Sequence, residues 1–174
     1  SRINDAYGML LFRRGNFTEA EKHFRTAVKR LTWRSPNPYT SEPYYNLGLA
    51  LYMQGKMEEA YDAFYKATWS NEQQEMSFYY LAVIEAQIGN YEEALELVEK
   101  GLIKNLHNIK ARGLKAILLR KLGRISEVKN WLDENLKVDA FDYISLAEFA
   151  EIGEEREAHL EYMNCLMRDF QENY

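Results

Sequence analysis

Two pairs of adjacent glutamates are the first candidates for chemistry in this sequence: Glu58 with Glu59, and Glu92 with Glu93. Two carboxylates held close together can act as a general acid and a general base. Adjacent residues of a helix point in different directions, however, and only residues three or four apart share a face. Each pair also comes soon after a glycine, at a predicted helix start, where the helix dipole favours negative charge. The pairs therefore predict helix starts rather than a catalytic site.

The histidines and the cysteine are too scattered along the chain to predict a metal site. His23, His107, His159 and Cys165 match none of the spacings that zinc sites use. A single cysteine also excludes an internal disulfide. The sequence contains no glycine-rich phosphate loop, nucleophile elbow or metalloprotease motif. We therefore expect a protein that is not an enzyme and that carries no metal and no cofactor.

The charge balance excludes further classes of partner. The formal net charge is −5 and the sequence pI is about 5.4, whereas nucleic-acid-binding domains are usually basic, so we expect no nucleic-acid partner. No long apolar run and no secretory leader pattern is present, which predicts no membrane span and a cytoplasmic location. The sequence begins Ser1-Arg2 rather than with methionine, which we interpret as a segment of a longer protein.

A motif led by glycine recurs along the chain. It consists of glycine, any residue, a bulky residue, two further residues and a small or apolar one. It begins at Gly15, Gly55, Gly89 and Gly123, with a looser copy at Gly153, so that two successive intervals between the glycines are equal. Each glycine separates two apolar-periodic segments, where a helix end often needs the left-handed conformation. The motif predicts helix–turn–helix units, with Thr18 and Ser126 as N-caps of the second helices.

Small and large residues recur in phase within these units. The second unit has Tyr44, Leu47, Gly48 and Leu51 in its first helix and Ala60, Phe64 and Ala67 in its second. The first unit has Gly8, Leu11, Ala20, Phe24 and Ala27 in the matching slots. This pattern resembles the tetratricopeptide repeat family over nearly the whole chain. The fifth unit departs most, because its first helix matches poorly and only Ala158, Tyr162 and Cys165 fit its second.

The resemblance implies an all-α, right-handed superhelical solenoid of about five helix–turn–helix units, because one hairpin alone cannot bury its apolar face. We expect a single domain with units at approximately 1–34, 41–73, 74–107, 108–138 and 139–174. The longest interval, from Gly15 to Gly55, indicates an insertion at 33–39, where prolines break the helix and predict a surface loop. The shortest interval, from Gly123 to Gly153, predicts a shortened link near 138–140.

The resemblance also implies that the first helix of each unit lines a concave groove. The side chains expected there are aromatic residues and methionines in the middle and cations at the ends: Met9, Phe12, Arg13, Tyr45, Leu49, Tyr52, Met53, Met76, Tyr79, Val83, Arg120 and Lys121. Tyrosine and methionine are favoured at contact surfaces, and the cations can pair with carboxylates. We expect a peptide or partner-protein segment as ligand. The alternative is contact with another part of the same full-length chain.

A chaperone tail is not an expected ligand. Family members that bind chaperones hold a C-terminal carboxylate with a clamp of lysines, asparagines and an arginine on their first helices. The matching positions of the first unit are Asp5 and Met9, and those of the third are Met76 and Tyr80. Only Asn46 fits the clamp, so the clamp is absent.

The end of the chain offers a second kind of contact. Residues 156–171 carry apolar side chains on more than one face of a predicted helix, whereas a terminal helix of a solenoid should be polar outside. Met163, Met167 and Phe170 are therefore candidates for self-association, as in a homodimer, unless further chain covers them. A looser resemblance, carried by Trp69 and residues 110–116, is to the C-terminal repeats of large bacterial proteins with a β-rich, carbohydrate-associated N-terminal domain. It implies a structural or accessory module.

Overall fold

The computed structural model describes residues 2–33 and 40–153. In these ranges the chain forms helices joined by turns and short links. The helices are α1 (Arg2–Arg13), α2 (Phe17–Thr32), α3 (Glu42–Tyr52), α4 (Met57–Ala67), α5 (Asn71–Gln87), α6 (Tyr91–Lys104), α7 (Ile109–Lys121), α8 (Ile125–Val138) and α9 (Tyr143–Ile152).

The chain divides into two compact units, Ser1–Leu106 and His107–Tyr174. The first contains three helical hairpins, α1–α2, α3–α4 and α5–α6, whose helices pack pairwise. In the second, α7, α8 and α9 pack against one another. The division into five repeat units within a single domain stays a prediction.

The predicted turns are confirmed. The five motif glycines all have φ between 72° and 89°, which side chains with a Cβ rarely adopt. At Gly55, nothing lies within 4 Å of the position a Cβ would take. The glycine is therefore required by the backbone conformation that joins α3 to α4, and not by a lack of space.

The predicted alternation of small and large residues has a geometric cause. A Cβ added at Gly48 would lie 2.7 Å from the ring of Phe64, and one at Gly8 would lie 2.7 Å from the ring of Phe24. Both phenylalanines are fully buried. The glycines let the two helices of a hairpin approach so closely that the ring of one packs on the backbone of the other.

Both N-cap predictions are wrong. The Asn16 side chain accepts a hydrogen bond of 3.3 Å from the Glu19 amide and caps α2, so that Thr18 lies inside the helix. Ser126 lies inside α8, whose N-cap is Arg124, and the Arg124 side chain makes no capping hydrogen bond. In both cases the helix begins directly after the residue that follows glycine, earlier than the hydroxyl residues suggest.

The prediction of a shortened link near 138–140 is also wrong. The link between α8 and α9 covers residues 139–142, which is as long as the link 105–108 between α6 and α7. The repeat is shorter because α9 has 10 residues, compared with 13 in α7. The loop predicted at 33–39 lies outside the described residues, apart from Trp33.

The first helices of the hairpins form one layer of the first unit. Helix α1 contacts α3, and α3 contacts α5. Over the described residues of α2, α4 and α6, by contrast, the second helices make no such contacts with one another. Helices α1, α3 and α5 therefore form an inner layer, and α2, α4 and α6 form an outer layer.

Hairpins one and two meet at a polar junction, which consists of Glu21, Arg25, Gln54, Lys56 and Glu59. One Glu21 oxygen accepts a hydrogen bond from Arg25 Nε at 2.7 Å. The other accepts from Lys56 Nζ at 2.7 Å and from Gln54 Nε2 at 2.9 Å. Arg25 also pairs with Glu59 on α4. Burial raises the pKa of Glu21, but these hydrogen bonds outweigh it and lower the pKa to about 2.

Hairpins two and three meet at an aromatic junction. The rings of Phe64 on α4 and Tyr80 on α5 are stacked, with centroids 4.8 Å apart and an interplanar angle of 5°. Tyr45 on α3 lies 5.9 Å from Phe64 and 6.2 Å from Tyr80. The same repeat therefore joins its hairpins with two different kinds of contact.

Candidate functional site

The predicted groove residues of the first unit lie in rows across the inner layer. The repeat register places Met9 level with Leu49 and Val83, and Phe12 level with Tyr52. All of these side chains are partly exposed. They belong to the three helices that contact one another, so the rows run from α1 through α3 to α5.

Three predicted tyrosines come together around a fourth. Tyr52 lies 5.5 Å from Tyr80, edge to face, and Tyr79 lies 5.4 Å from the same ring. Tyr45 is the third neighbour of Tyr80. We call Tyr45, Tyr52, Tyr79 and Tyr80 the tyrosine cluster. Its side chains are neither fully buried nor fully exposed, so each ring is held by its neighbours and still presents an accessible surface.

Tyr80 was absent from the groove predicted from sequence. The same slot is Asn46 in the second repeat and Ala6 in the first, so the repeat pattern gives no sign that this position is aromatic. The signal that could have found it is local, because Tyr80 follows Tyr79 directly.

Tyr45, Tyr79 and Tyr80 remain uncharged at neutral pH. Burial, followed by the neighbouring tyrosines, raises the pKa of Tyr79 and Tyr80 above the usual value of 10.0. Burial likewise raises the pKa of Tyr45. The hydroxyls therefore stay protonated and can both donate and accept hydrogen bonds. The hydroxyl of Tyr52 already accepts one of 3.1 Å from Gln87 Nε2.

Apolar side chains border the cluster. Met53, just beyond the end of α3, is 52% exposed. Leu49, Met76 and Val83 are partly exposed on α3 and α5. Methionine adapts its shape to different partners, so the border adds adaptable contact area to the rigid rings.

Carboxylates lie near the starts of the inner helices. Asp5 accepts hydrogen bonds from Asn46 Nδ2 at 3.1 and 3.2 Å. Burial raises the pKa of Asp5, although the Asn46 bond opposes this. Burial, followed by the negative charges of Asp5 and Glu72, also raises the pKa of Glu42. Asn46, the one residue that matches the chaperone clamp, is thus bound to a carboxylate of this chain.

The three predicted cations have different surroundings. Arg13 is exposed at the end of α1. In the second unit, Arg120 binds the buried carboxylate of Glu148 through Nε at 2.5 Å and Nη2 at 3.1 Å, and Lys121 is exposed. A ligand carboxylate would compete with Glu148 for Arg120. The grouping of Arg120 and Lys121 with the cluster stays a prediction.

The remaining sequence predictions concern residues outside the described ranges, metal sites and membrane spans. Met163, Met167 and Phe170 lie beyond residue 153, as do His159 and Cys165. Across residues 2–33 and 40–153, no group of three or more His, Cys, Asp or Glu side chains is arranged to hold a metal ion. No helix in those ranges combines the length and the apolar character needed to cross a bilayer.

Comparison with known proteins identifies the fold. The tetratricopeptide repeat family profile matches residues 1–68. A tetratricopeptide repeat protein from Parabacteroides merdae ATCC 43184 is 19% identical, with a TM-score of 0.81 over 96% of this chain and 66% of that one. Pseudomonas aeruginosa pilF is 20% identical, with a TM-score of 0.77 over 98% of this chain and 81% of that one.

A third similar structure comes from the APC/C hetero-tetramer Cut9–Hcn1. It is 16% identical, with a TM-score of 0.71 over 87% of this chain and 29% of that one. At these identities the likeness establishes the fold. The resemblance to tetratricopeptide repeats and the all-α solenoid class are thereby confirmed.

Proposed function

We propose that the first unit of this tetratricopeptide-type fold binds a segment of a partner protein along α1, α3 and α5. Tetratricopeptide repeats generally serve as non-catalytic modules for protein interaction. The observation that carries the proposal is the tyrosine cluster, in which four rings are fixed by mutual contact and remain partly exposed.

The physics of such a cluster favours binding. A tyrosine ring supplies a large apolar area with a polar tip. Rings that are already packed lose little conformational freedom when a partner arrives, so less of the contact energy is spent on ordering them. The protonated hydroxyls add hydrogen bonds that can orient a peptide backbone.

An extended ligand fits this surface better than a small molecule does. The rows cross three helices, so they offer an extended line of contacts. A cavity of about 240 Å³ lies between α2, α3 and α4, lined by Val28, Leu47 and Ala63 among others, and no residue of the tyrosine cluster lines it. A second cavity, of about 390 Å³, is lined by residues 55–59, and no residue of the tyrosine cluster lines it either.

One similar fold belongs to a chain of a hetero-tetramer. In that protein the fold takes part in an assembly of different chains. This supports a protein partner for the present chain, while the place of contact rests on the tyrosine cluster alone.

A random peptide library displayed on phage tests the proposal without a known partner. Peptides enriched on the wild-type protein are synthesised, and their Kd is measured for wild type, Tyr52→Ala and Tyr79→Ala. We expect each substitution to weaken binding by about tenfold or more, as at other interface hot spots. Tyr65→Ala is the matched control, because Tyr65 lies on α4 in the outer layer and is 56% exposed.

Circular dichroism and thermal unfolding of each variant separate loss of binding from loss of fold. If a tyrosine variant unfolds, Met53→Glu replaces it, because Met53 is 52% exposed and contributes little to the core. Selected peptides that bind Tyr52→Ala, Tyr79→Ala and Met53→Glu as tightly as wild type would overturn the proposal.

A further inference from the structure

The two helices that carry the tyrosine cluster contain no positively charged side chain. Helices α3 and α5 contain four glutamates and no lysine, arginine or histidine. The lysines within the helices of the second and third hairpins, Lys66, Lys100 and Lys104, all lie on the outer helices α4 and α6. Of the cations predicted to hold a ligand, only Arg13 belongs to the first unit, at the end of α1. The inner helices of these two hairpins therefore carry negative charge alone.

Three carboxylates, one from each inner helix, lie together near the helix starts. They are Asp5 on α1, Glu42 on α3 and Glu72 on α5, and we call them the acidic edge. Their proximity raises the pKa of Glu42: burial is the first cause, the charges of Asp5 and Glu72 are the next, and Arg2 opposes them. The carboxylates therefore repel one another, and a positive charge placed among them relieves that repulsion.

No side chain of residues 2–33 and 40–153 forms an ion pair with the acidic edge. Asp5 accepts its hydrogen bonds from the uncharged amide of Asn46, and Glu42 and Glu72 are exposed. Their place in the first turns of α3 and α5 suits the helix dipole. The first turns of α4 and α6 are acidic as well, yet those helices also carry lysines. The dipole alone therefore does not explain why the inner helices lack cations.

The acidic edge borders the tyrosine cluster. Glu42 precedes Tyr45 by three residues and therefore shares a face of α3 with it. The repeat register places Asp5 level with Tyr45 and Tyr79. Glu72 precedes Tyr79 by seven residues, which is about 10 Å along the helix axis, and about three residues of an extended segment span that distance. One short segment can therefore contact both surfaces.

We propose, on the basis of the function proposed above, that the partner segment bound at the tyrosine cluster is basic. An arginine or lysine of the segment lies at the acidic edge, and apolar side chains next to it lie on the rings. Arginine suits both surfaces, because its guanidinium pairs with carboxylates and also stacks on aromatic rings. Like-charge repulsion disfavours an acidic segment at the same place.

Peptides selected on the wild-type protein from a random library displayed on phage test this assignment. They should contain lysine and arginine more often than the unselected library does, and aspartate and glutamate less often. Their Kd is measured for wild type, for Glu42→Gln with Glu72→Gln, and for Tyr52→Ala. We expect the double glutamine variant to weaken binding by about threefold to tenfold, since each exposed ion pair contributes modestly. Tyr52→Ala should weaken it by about tenfold or more.

Glu58→Gln with Glu93→Gln is the matched control, because it removes the same charge from exposed first-turn positions of the outer helices α4 and α6. It should change Kd by less than about twofold. Direct pairing is separated from the overall field of the protein by a peptide in which glutamine replaces each arginine and lysine. That peptide should bind wild type and the Glu42/Glu72 variant equally, and an equal loss for both peptides contradicts direct pairing. If circular dichroism shows that the double variant has lost helix, Glu72→Gln alone replaces it.

The outcomes distinguish the basic partner from the binding surface itself. Peptides that lose affinity on Tyr52→Ala, but are not enriched in basic residues or bind the Glu42/Glu72 variant as tightly as wild type, overturn the basic partner and leave the surface in place. Enrichment of aspartate or glutamate does the same. Peptides that bind Tyr52→Ala and Tyr79→Ala as tightly as wild type overturn the surface, and the basic segment with it. A selection that enriches no peptide contradicts both.

Discussion

The polar junction and the aromatic junction join successive hairpins of the first unit through different positions of the repeat, since Phe64 corresponds to Phe24 and not to a residue of the polar junction. Glu21 and Arg25 of the polar junction correspond to Tyr61 and Tyr65, which occupy the same slots one repeat later. In the polar junction the charges are paired with one another across α2, α3 and α4. In the aromatic junction the stacked rings extend into the tyrosine cluster of the inner layer.

The two junctions therefore have different roles. The polar junction holds two hairpins together, whereas the aromatic junction also presents a surface. Glu21 is 8% exposed and its oxygens are bound by three side chains of the same chain, so the polar junction has little left to offer a ligand. The aromatic junction anchors Tyr80 on a buried phenylalanine and leaves its neighbours partly exposed. The proposed binding surface is therefore centred on the second and third hairpins, and α1 of the first hairpin extends it.

The largest expected effect comes from removing the anchor of the aromatic junction. Phe64→Ala should lower the free energy of unfolding by about 3–5 kcal/mol, because a fully buried ring is replaced by a cavity. Urea unfolding followed by circular dichroism measures the loss. Phe24→Ala is the comparison, because Phe24 is equally buried and no ring of the described residues stacks on it. The loss at Phe64 should exceed that at Phe24 by about 0.5–1.5 kcal/mol, and equal losses would mean that the stacking adds nothing.

The polar junction should contribute less to the free energy of unfolding than the aromatic junction does. Glu21→Gln keeps the shape and removes the charge that binds Arg25 and Lys56, whose side chains are 46% and 40% exposed. We expect a loss of about 1–2 kcal/mol, since solvent screens the exposed partners. In the same urea experiment, Glu19→Gln should cost less than about 0.5 kcal/mol, because Glu19 and Lys22 are 47% and 66% exposed. A Glu21→Gln loss as small as that of Glu19→Gln would remove the distinction between a junction and a surface ion pair.

Acid should weaken the polar junction selectively. The pKa of Glu21 is lowered from 4.5 to about 2, so the unfolded chain takes up the proton first. The stabilisation by Glu21 is complete above pH 4.5 and is lost as the pH falls toward 2. Asp5 and Glu42 have raised pKa values and act in the opposite sense.

The difference in unfolding free energy between wild type and Glu21→Gln isolates Glu21 from those two carboxylates. It should be smaller by about 1 kcal/mol near pH 3.5 than at neutral pH. A difference that does not change with pH would indicate that packing, rather than charge, holds the junction.

The smallest effect is expected at the edge of the tyrosine cluster. Tyr52→Phe removes the hydroxyl that accepts from Gln87, an exposed hydrogen bond, and should change the free energy of unfolding by less than about 0.5 kcal/mol. Affinity for selected peptides should fall only if that hydroxyl contacts the ligand. Thermal unfolding measures the stability of the variant, and peptide titration of the same sample measures its affinity. A large loss of stability would mean that Tyr52 belongs to the core and not to a surface.

The hairpin boundaries could be predicted from sequence because the motif glycines and the small residues act locally. Gly48 has to be small because of Phe64 in the same hairpin, and the repeat shows this pairing more than once. The caps could not be predicted, because Asn16 and Thr18 are both suitable residues and only the helix start decides between them. Tyr80 and the polar junction depend on contacts between repeats, and these contacts change from one repeat to the next.

The pattern of helix contacts in the first unit also has a consequence for its motions. Each helix contacts the helices before and after it in the chain. Beyond these contacts, an inner helix contacts only the adjacent inner helix. Hairpin two contacts a hairpin on each side, whereas Ile3, Tyr7 and Leu10 of α1 are exposed. Local opening should therefore begin at hairpin one and proceed to hairpin two. Backbone amides of α1 and α2 should exchange with deuterium sooner than those of α3 and α4.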